Sequence, residues 1–476
     1  MPRAIAVVGG GVSGLAVTFH LRRQLAARGD RTEVRCLEAS ARPGGNIATS
    51  TVDGFTCEWG PNGFLDNEPA TLELIRDLGI SDRLLRSNQA AARRFVFRKG
   101  RLRLLPGGPL SFLTSGVLSP LGKLRVLCEP FGPGPPRDGD ESVFGFASRR
   151  IGTEAASVLV DAMVSGIFAG DARNLSLRAA FPKMWEMESE HGSLLRAMKA
   201  RRRARKSGDA KRSGGPAGPG GTLTSFKTGM RELIDGLAAA VSPALRTGCR
   251  VERIVAPGDG GYRVHLADGA PVDAAAVVLA CPAWFAADAV ASLDPEMSEA
   301  MAAIPSAPVA VVHLGYRGGD LNEIPVGFGF LAPRGEGVRI LGCLWSSSIF
   351  EGRAVDDRVL LTCMVGGATD PEALALSDDE LVDVARRDLA TCMRVVAEPV
   401  LRRVFRHPRG IPQYTLGHPA RVATIERRLE RFPGLTACGN SYRGISVNAC
   451  ALEAPRVTAG ALRHLDLRAS TTPSRD

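Results

Sequence analysis

Aromatic side chains are scarce in this 476-residue chain: four tyrosines and four tryptophans, with 5% aromatics in all. The one dense basic run, RAMKARRRARKSGDAKR (residues 196–212), has no aromatics interleaved and no recognition motif beside it. Nucleic-acid binding is therefore not expected, because a basic track there works together with stacking platforms. Long apolar runs are missing too. A bilayer-spanning helix needs about 18 apolar residues, and the best stretch here, 274–287, contains Pro282 and reads as a buried strand and loop. Any membrane contact is expected to be peripheral. The ten cysteines form no C-x-x-C pair and no Cys/His cluster, which argues for reduced thiols in a cytoplasmic setting, with no metal centre and no disulfide framework. The seven histidines are scattered, and no Ser/His/Asp or Cys/His arrangement offers an activated nucleophile. The first strand pattern begins at Ile5, so no secretory leader is expected.

What is present begins at once. In AVVGGGVSGLAV (residues 6–17), small β-formers run into Gly9, Gly11 and Gly14, the G-x-G-x-x-G turn between a first strand and a first helix. Gly9 takes the tight turn, Gly11 lets the backbone approach a pyrophosphate, and Gly14 lets helix and strand pack closely, with the helix N-terminus facing the anion. The next strand, in TEVRCLEAS, ends at Glu38, at the spacing of an acid that accepts the ribose hydroxyls of an adenosine. Arg42, Gly44 and Gly45 follow, and Gly60-Pro61-Asn62-Gly63 makes a second close backbone approach. Two glycine-rich loops near one strand end suggest a long ligand.

Length and a 45% apolar content predict two or three domains around large cores. The formal charge of +10 favours anionic surfaces or ligands. Residues 93–221 read as helical, broken by the linker GPGPPRDGDES; near 196–221 the basic run dissolves into Gly, Pro and Ser, a composition that predicts a flexible loop. Strand patterns return after Thr222, residues 306–365 look like a separate sheet, and a strand, a Gly-rich turn and a helix close the chain. The last unit is expected to complete the nucleotide domain.

In order along the chain, VVGGGVSGL, EASARPGG, EWGPNGFLDNEPAT, RRFVFRKGRLRLLP, GIFAGD, FGFLAP, CMVGG, FRHPRGIPQY and GNSYRGISVNAC resemble the FAD-dependent protoporphyrinogen oxidase family within the flavin amine oxidases. The resemblance implies an α/β fold: a discontinuous Rossmann-like FAD-binding domain (1–90, 222–290 and 415–470), an α+β substrate domain (291–414), and a helical membrane-associating domain (91–221). It implies that Gly9, Gly11, Gly14, Glu38, Arg42, Gly45 and Gly60 lie along FAD, that the Val251 backbone meets the adenine, and that Ile445, Ser446 and Val447 present amides to the flavin ring. Arg94 resembles a propionate anchor, and Phe328, Gly329, Leu331 and Met364 resemble residues that sandwich a tetrapyrrole.

The reaction so implied is oxygen-dependent oxidation of protoporphyrinogen IX to protoporphyrin IX with release of hydrogen peroxide. Coproporphyrinogen III oxidation and a catalytically weakened flavin-binding membrane adaptor are the alternatives. The cofactor carries the redox chemistry, so no catalytic base is needed; Asn62 is the candidate polar contact near the reacting carbon. Expected partners are the tetrapyrrole, oxygen and an anionic membrane surface at the inner face of the cell membrane, with a homodimer as an open expectation. Three positions depart from the family pattern: Ala449 where Asp is common, His407 where Trp is frequent, and Phe168 where Tyr is usual. Loss of the aspartate is expected to remove a cap or a hydrogen bond at the flavin.

Overall fold

In the computed structural model, which describes residues 4–136, 139–206, 221–258 and 260–471, the glycine-rich turn joins the buried strand Ala4–Val8 to the helix Val12–Ala27. That strand lies between Glu33–Leu37 and Ala276–Leu279, parallel to both. Leu245–Arg246 and Leu435–Ala437 extend the sheet outward in the same sense, giving five parallel strands drawn from distant parts of the chain. The run is apolar throughout because both faces are covered. Ile5, Val7 and Val278 pack with Leu15, Leu233, Ala454 and Leu462 of three helices. Ala6, Val8, Val277 and Leu279 face the opposite way, onto a three-stranded antiparallel sheet and the helix Ala283–Val290.

A second, seven-stranded sheet runs in the order Leu401–Pro412, Ser306–Arg317, Arg358–Gly366, Ile340–Trp345, Gly329–Leu331, Arg94–Arg98, Arg101–Leu104. Helix Asp378–Met393, opened by a Ser377/Glu380 capping box, lays Leu381, Ala385 and Leu389 on Leu314, Leu361 and Val365 of this sheet. Residues 94–104, expected in the helical region, are thus strands of the sheet. The reason is local: Lys99 and Gly100 both have positive φ (50° and 71°) between the paired Arg98 and Arg101, a two-residue hairpin turn of the primed type.

From Pro109 onward the intervening segment is helical, including Pro120–Leu127, Val143–Ile151, Asp161–Phe168 and Pro182–His191. The basic run differs from the expected loop, since Leu194–Lys206 is a helix. Its Arg, Lys and Ala residues are good helix formers, and its first turn is capped from afar. The buried Glu129 carboxylate accepts the Leu194 and Leu195 amides (2.9 and 3.2 Å) and the Ser193 hydroxyl (2.6 Å), which satisfies donors a helix start leaves open. Residues 207–220 of the expected loop lie outside the described residues. Among the described residues, no helix is long and apolar enough to cross a membrane, and no group of His, Cys, Asp and Glu could hold a metal ion.

Candidate cofactor and substrate site

The carboxyl ends of the parallel strands converge on the glycine turn. Gly9 N–H donates to the Leu37 carbonyl, Ala280 N–H to Val8, and Cys438 N–H to Leu279 (2.8, 2.8 and 2.9 Å), so the residues that follow four strands meet at one rim, where open α/β sheets bind their ligands. Gly9 has φ 108°, and a Cβ there would lie 2.9 Å from the Ala280 carbonyl; a Cβ on Gly14 would collide with the Gly9 carbonyl oxygen. Gly11 is different. A Cβ there would meet no protein atom within 4 Å, so this glycine faces the cradle at the helix N-terminus instead of a packed neighbour. The residues therefore fit an anion such as a pyrophosphate.

Glu38, expected to face a ribose, also builds the turn. It is buried, with one carboxylate oxygen accepting the Gly10 amide at 2.6 Å and the other the Ser40 amide at 2.7 Å. Its carbonyl accepts the Cys249 amide at 2.8 Å. Two residues on, Val251 enters the core that holds Val8 and Leu37.

The second loop closes over the first. Gly44 N–H reaches the Gly10 carbonyl at 2.8 Å, and a Cβ on Gly45 would come within 3.7 Å of the Gly11 Cα. Arg42 spends its donors on its own loop, at Gly45 O (3.0 Å), Pro43 O (3.3 Å) and Ile47 O (3.4 Å). Its guanidinium lies 4.9 Å over the Trp59 ring, and burial lowers its pKa, with help from nearby Arg231. Trp59 stacks on Phe405 with ring centroids 4.7 Å apart. Gly60 abuts the Asn46 carbonyl, where no Cβ fits. Asn62 is half-buried and forms no hydrogen bond within the described part of the chain.

Histidines that sequence reasoning left without a role support this loop. His313 Nε2 meets the Glu58 carbonyl at 2.8 Å and His407 Nε2 the Trp59 carbonyl at 2.6 Å; facing carbonyls, both nitrogens must carry the proton. Burial pushes His313 down to about 4, so the ring is neutral at pH 7 and its Nδ1 accepts from the Thr362 hydroxyl at 2.9 Å. His407 thus has a partner of its own in the place where the family's Trp is frequent. Phe168 lies in an aromatic cluster with Phe181 and Tyr414.

At the far end of the cradle, Ile445, Ser446 and Val447 lead into the helix Val447–Thr471. Ser446 Oγ accepts the Ala449 amide at 3.1 Å, a cap that does not depend on the side chain at 449. A Cβ on Gly444 (φ 76°) would lie 2.5 Å from the Ala449 Cβ, so the missing side chain at 444 lets the turn close. Asn448 bridges outward, accepting from Thr71 and donating to the Leu65 carbonyl (both 2.8 Å).

On the substrate side, Arg94 pairs in parallel register with Gly329, and its guanidinium sits 4.7 Å over the Phe328 ring. Arg94 is exposed, although partial desolvation of the guanidinium against its neighbours lowers its pKa, and among the described residues no carboxylate lies within ion-pair distance of it. Only glycine fits at 329, where φ is 126° and a Cβ would strike the Cys343 carbonyl oxygen. Leu331 and Met364 sit on the wall toward the helix Asp161–Phe168. The Leu331 methyl lies 2.5 Å from where a Gly166 Cβ would be, and Met364 packs on Ala169, Val309 and Leu341.

The sequence profile of the flavin containing amine oxidoreductases matches residues 12–459. Among curated relatives, the coproporphyrinogen III oxidase of Bacillus subtilis (strain 168) is 29% identical, covering 97% of this chain and 98% of its own. The chloroplastic protoporphyrinogen oxidase of Nicotiana tabacum is 32% identical over 93% of this chain and 82% of its own. A solved Exiguobacterium sp. 255-15 structure, provisionally described as a protoporphyrinogen oxidase, superposes with a TM-score of 0.81 at 25% identity, covering 97% of this chain and 99% of that one. A match that runs from the first helix into the closing helix takes in the seven-stranded sheet and all of the parallel sheet but its first strand: the chain belongs to the flavin-containing amine oxidoreductase family and is an FAD-dependent oxidoreductase.

Proposed function

We propose that this chain oxidises protoporphyrinogen IX to protoporphyrin IX in tetrapyrrole biosynthesis, with oxygen as the final acceptor and hydrogen peroxide as product. The observation that carries the reading is the corner formed by Arg94, Phe328 and Gly329. A guanidinium without a carboxylate partner among the described residues stands over an aromatic ring, beside an apolar wall of Leu331 and Met364, as an apolar macrocycle with propionate arms requires. Bound FAD supplies the two-electron acceptor. The chain does the rest: the Gly9–Gly14 turn receives the pyrophosphate, the Glu38 carboxylate has lone pairs left for the ribose, and the Val251 backbone meets the adenine. Ile445, Ser446 and Val447 place a helix N-terminus where negative charge is favoured. Asn62, with its amide uncommitted, is the polar contact at the reacting carbon, and the apolar wall orients the ring and keeps water out.

Coproporphyrinogen III is the second reading, favoured by the Bacillus relative that matches nearly end to end. Purified protein with a flavin spectrum, supplied with each porphyrinogen under air, tests both. Porphyrin fluorescence and peroxide above autoxidation are the expected result, and their absence with both substrates would sink the assignment.

The division of labour follows the topology. Residues 1–90, 222–290 and 415–470 hold FAD, and residues 291–414 with the 94–104 hairpin hold the substrate. The remainder of 91–221, helical in most of its described residues, docks on an anionic membrane at its inner, cytoplasmic face. Supporting the last point, Leu110, Leu113, Leu121, Leu124, Leu127 and Phe131 are exposed, Phe131 at 85%, along a segment whose Glu129 caps the basic helix. Apolar anchoring together with cationic attraction makes a peripheral membrane face.

A further inference from the structure

The segment 439–442, which leads into the closing helix, is held residue by residue from four directions. Gly439 N–H donates to Glu453 Oε2 at 2.9 Å, the Asn440 carbonyl accepts the Tyr414 hydroxyl at 2.6 Å, Ser441 Oγ accepts the Ala283 amide at 3.1 Å, and the Tyr442 carbonyl accepts His418 Nε2–H at 2.9 Å. Two of these four holds come from one unit. Tyr414 lies two residues past the seven-stranded sheet's outer strand, His418 opens the next helix, and their rings stack at 4.2 Å, 23° from parallel.

Both rings are buried. His418 Nδ1 has no partner in the described residues, so the Tyr442 carbonyl is the ring's single polar contact, and burial, which lowers the imidazole to about 4, keeps Nε2–H a neutral donor. The unit is in turn tied to the helical region. Gly417 N–H donates to Asp140 Oδ2 at 2.9 Å, while Asp140 Oδ1 accepts the Ser176 hydroxyl at 2.6 Å. The Phe168 ring meets Tyr414 edge-on at 6.0 Å.

We infer that the stacked Tyr414–His418 pair is a positioning pair for the cofactor: by holding the Asn440 and Tyr442 carbonyls it sets where the Ile445–Val447 amides stand, and with them how strongly FAD is bound and how far its reduced form is favoured. The inference rests on the flavin reading of that helix N-terminus. Amides at a helix start stabilise nearby negative charge, and the effect falls off within the first turn, so a small displacement of the segment weakens it. Neither side chain need touch FAD.

The test compares Tyr414→Phe, which keeps the stack and removes only the hydroxyl, His418→Leu, and their double variant. His418→Gln, whose amide can still donate, is the rescue. FAD dissociation is followed by flavin fluorescence and the two-electron midpoint by dye equilibration. The double variant is expected to bind FAD about tenfold more weakly, and the bound flavin to lose about tenfold of its preference for the reduced form, about 30 mV for a two-electron couple; His418→Gln recovers most of both. Its KM for the porphyrinogen stays unchanged. If the double variant loses only thermal stability while affinity and potential stay at wild-type values, the pair is structural and the inference is overturned. A wild-type protein that binds no FAD is a separate result, which overturns the flavin reading beneath it.

Discussion

Glu38 accepts the Gly10 amide at 2.6 Å, so the acid at the end of the second strand is bonded into the turn that follows the first. This gives three substitutions at the turn distinct consequences for the apoprotein and for FAD loading. Gly11→Ala is expected to abolish most FAD loading while the apoprotein melts within a few degrees of wild type, because its Cβ meets only the cradle. Gly14→Ala should destabilise the apoprotein itself, since its Cβ collides with the Gly9 carbonyl. Glu38→Ala leaves two amides without acceptors and should cost about 1–3 kcal/mol before any ribose contact is counted. Thermal melts with and without FAD check all three; an apo melt of Gly11→Ala as low as that of Gly14→Ala contradicts the assignment of the cradle.

Arg94→Ala is expected to raise the porphyrinogen KM about tenfold and to change kcat little, as for an anchor remote from the reacting carbon. Arg94→Lys should recover only part, because a point charge cannot grip a carboxylate bidentately. Steady-state kinetics on detergent-dispersed substrate decide it, and an unchanged KM returns Arg94 to the surface.

Ser446→Ala removes the cap on the Ala449 amide and should cost about 1 kcal/mol. Gly444→Ala should cost more, as it adds a 2.5 Å clash with Ala449 to a positive φ. Both are measured by denaturant unfolding; a Gly444→Ala protein as stable as wild type would show that the turn relaxes freely.

The buried Glu129–Arg150 pair should make the helical region acid-labile. Burial alone would push the Glu129 carboxyl up, but hydrogen bonds from Ser193, the Leu194 amide and Arg150 outweigh it and hold the pKa below its ordinary value of 4.5. A depressed carboxyl stabilises the fold fully above that ordinary value, and the contribution is lost as pH falls through the folded pKa. Hydrogen exchange at 193–206 is therefore expected to accelerate below pH about 4.5 before the parallel sheet responds. Glu129→Ala leaves Arg150 with Glu188 at 3.5 Å but takes the acceptor from the Leu194 and Leu195 amides, and should cost about 1–3 kcal/mol. Exchange that speeds up everywhere at once would argue against a local lock.

Binding to anionic vesicles should weaken when Arg196, Lys199 and Arg203 become Gln, by about 1 kcal/mol for each residue close to the surface, with a smaller response to salt. Replacing Leu110, Leu121 and Phe131 with Ser should weaken binding to neutral vesicles as well. Co-sedimentation at two ionic strengths measures both, and binding untouched by either set would remove the membrane face from this segment.

Local spacing encodes the turns, caps and covered strands of this protein. Gly9, Gly11 and Gly14 at the start of a helix, Glu38 at the end of the next strand, and apolar runs such as AVVL had one reading because a tight turn, a close approach and a sheet covered on both faces tolerate few residue types. Even Lys99-Gly100 and Ser446-x-x-Ala449 were local signals, a hairpin turn and a cap, outweighed by the composition of their surroundings. Which distant groups meet is set by packing across the whole chain. Arg94 stands beside Gly329 through a parallel register, Glu129 caps a helix that starts at Leu194, and His313, His407 and His418 each find one main-chain carbonyl, 255, 348 and 24 residues away along the chain. A histidine or a buried carboxylate has no periodicity of its own. Its role is fixed by the partner that satisfies it once water is excluded, and that partner is chosen by the packing of whole sheets and helices.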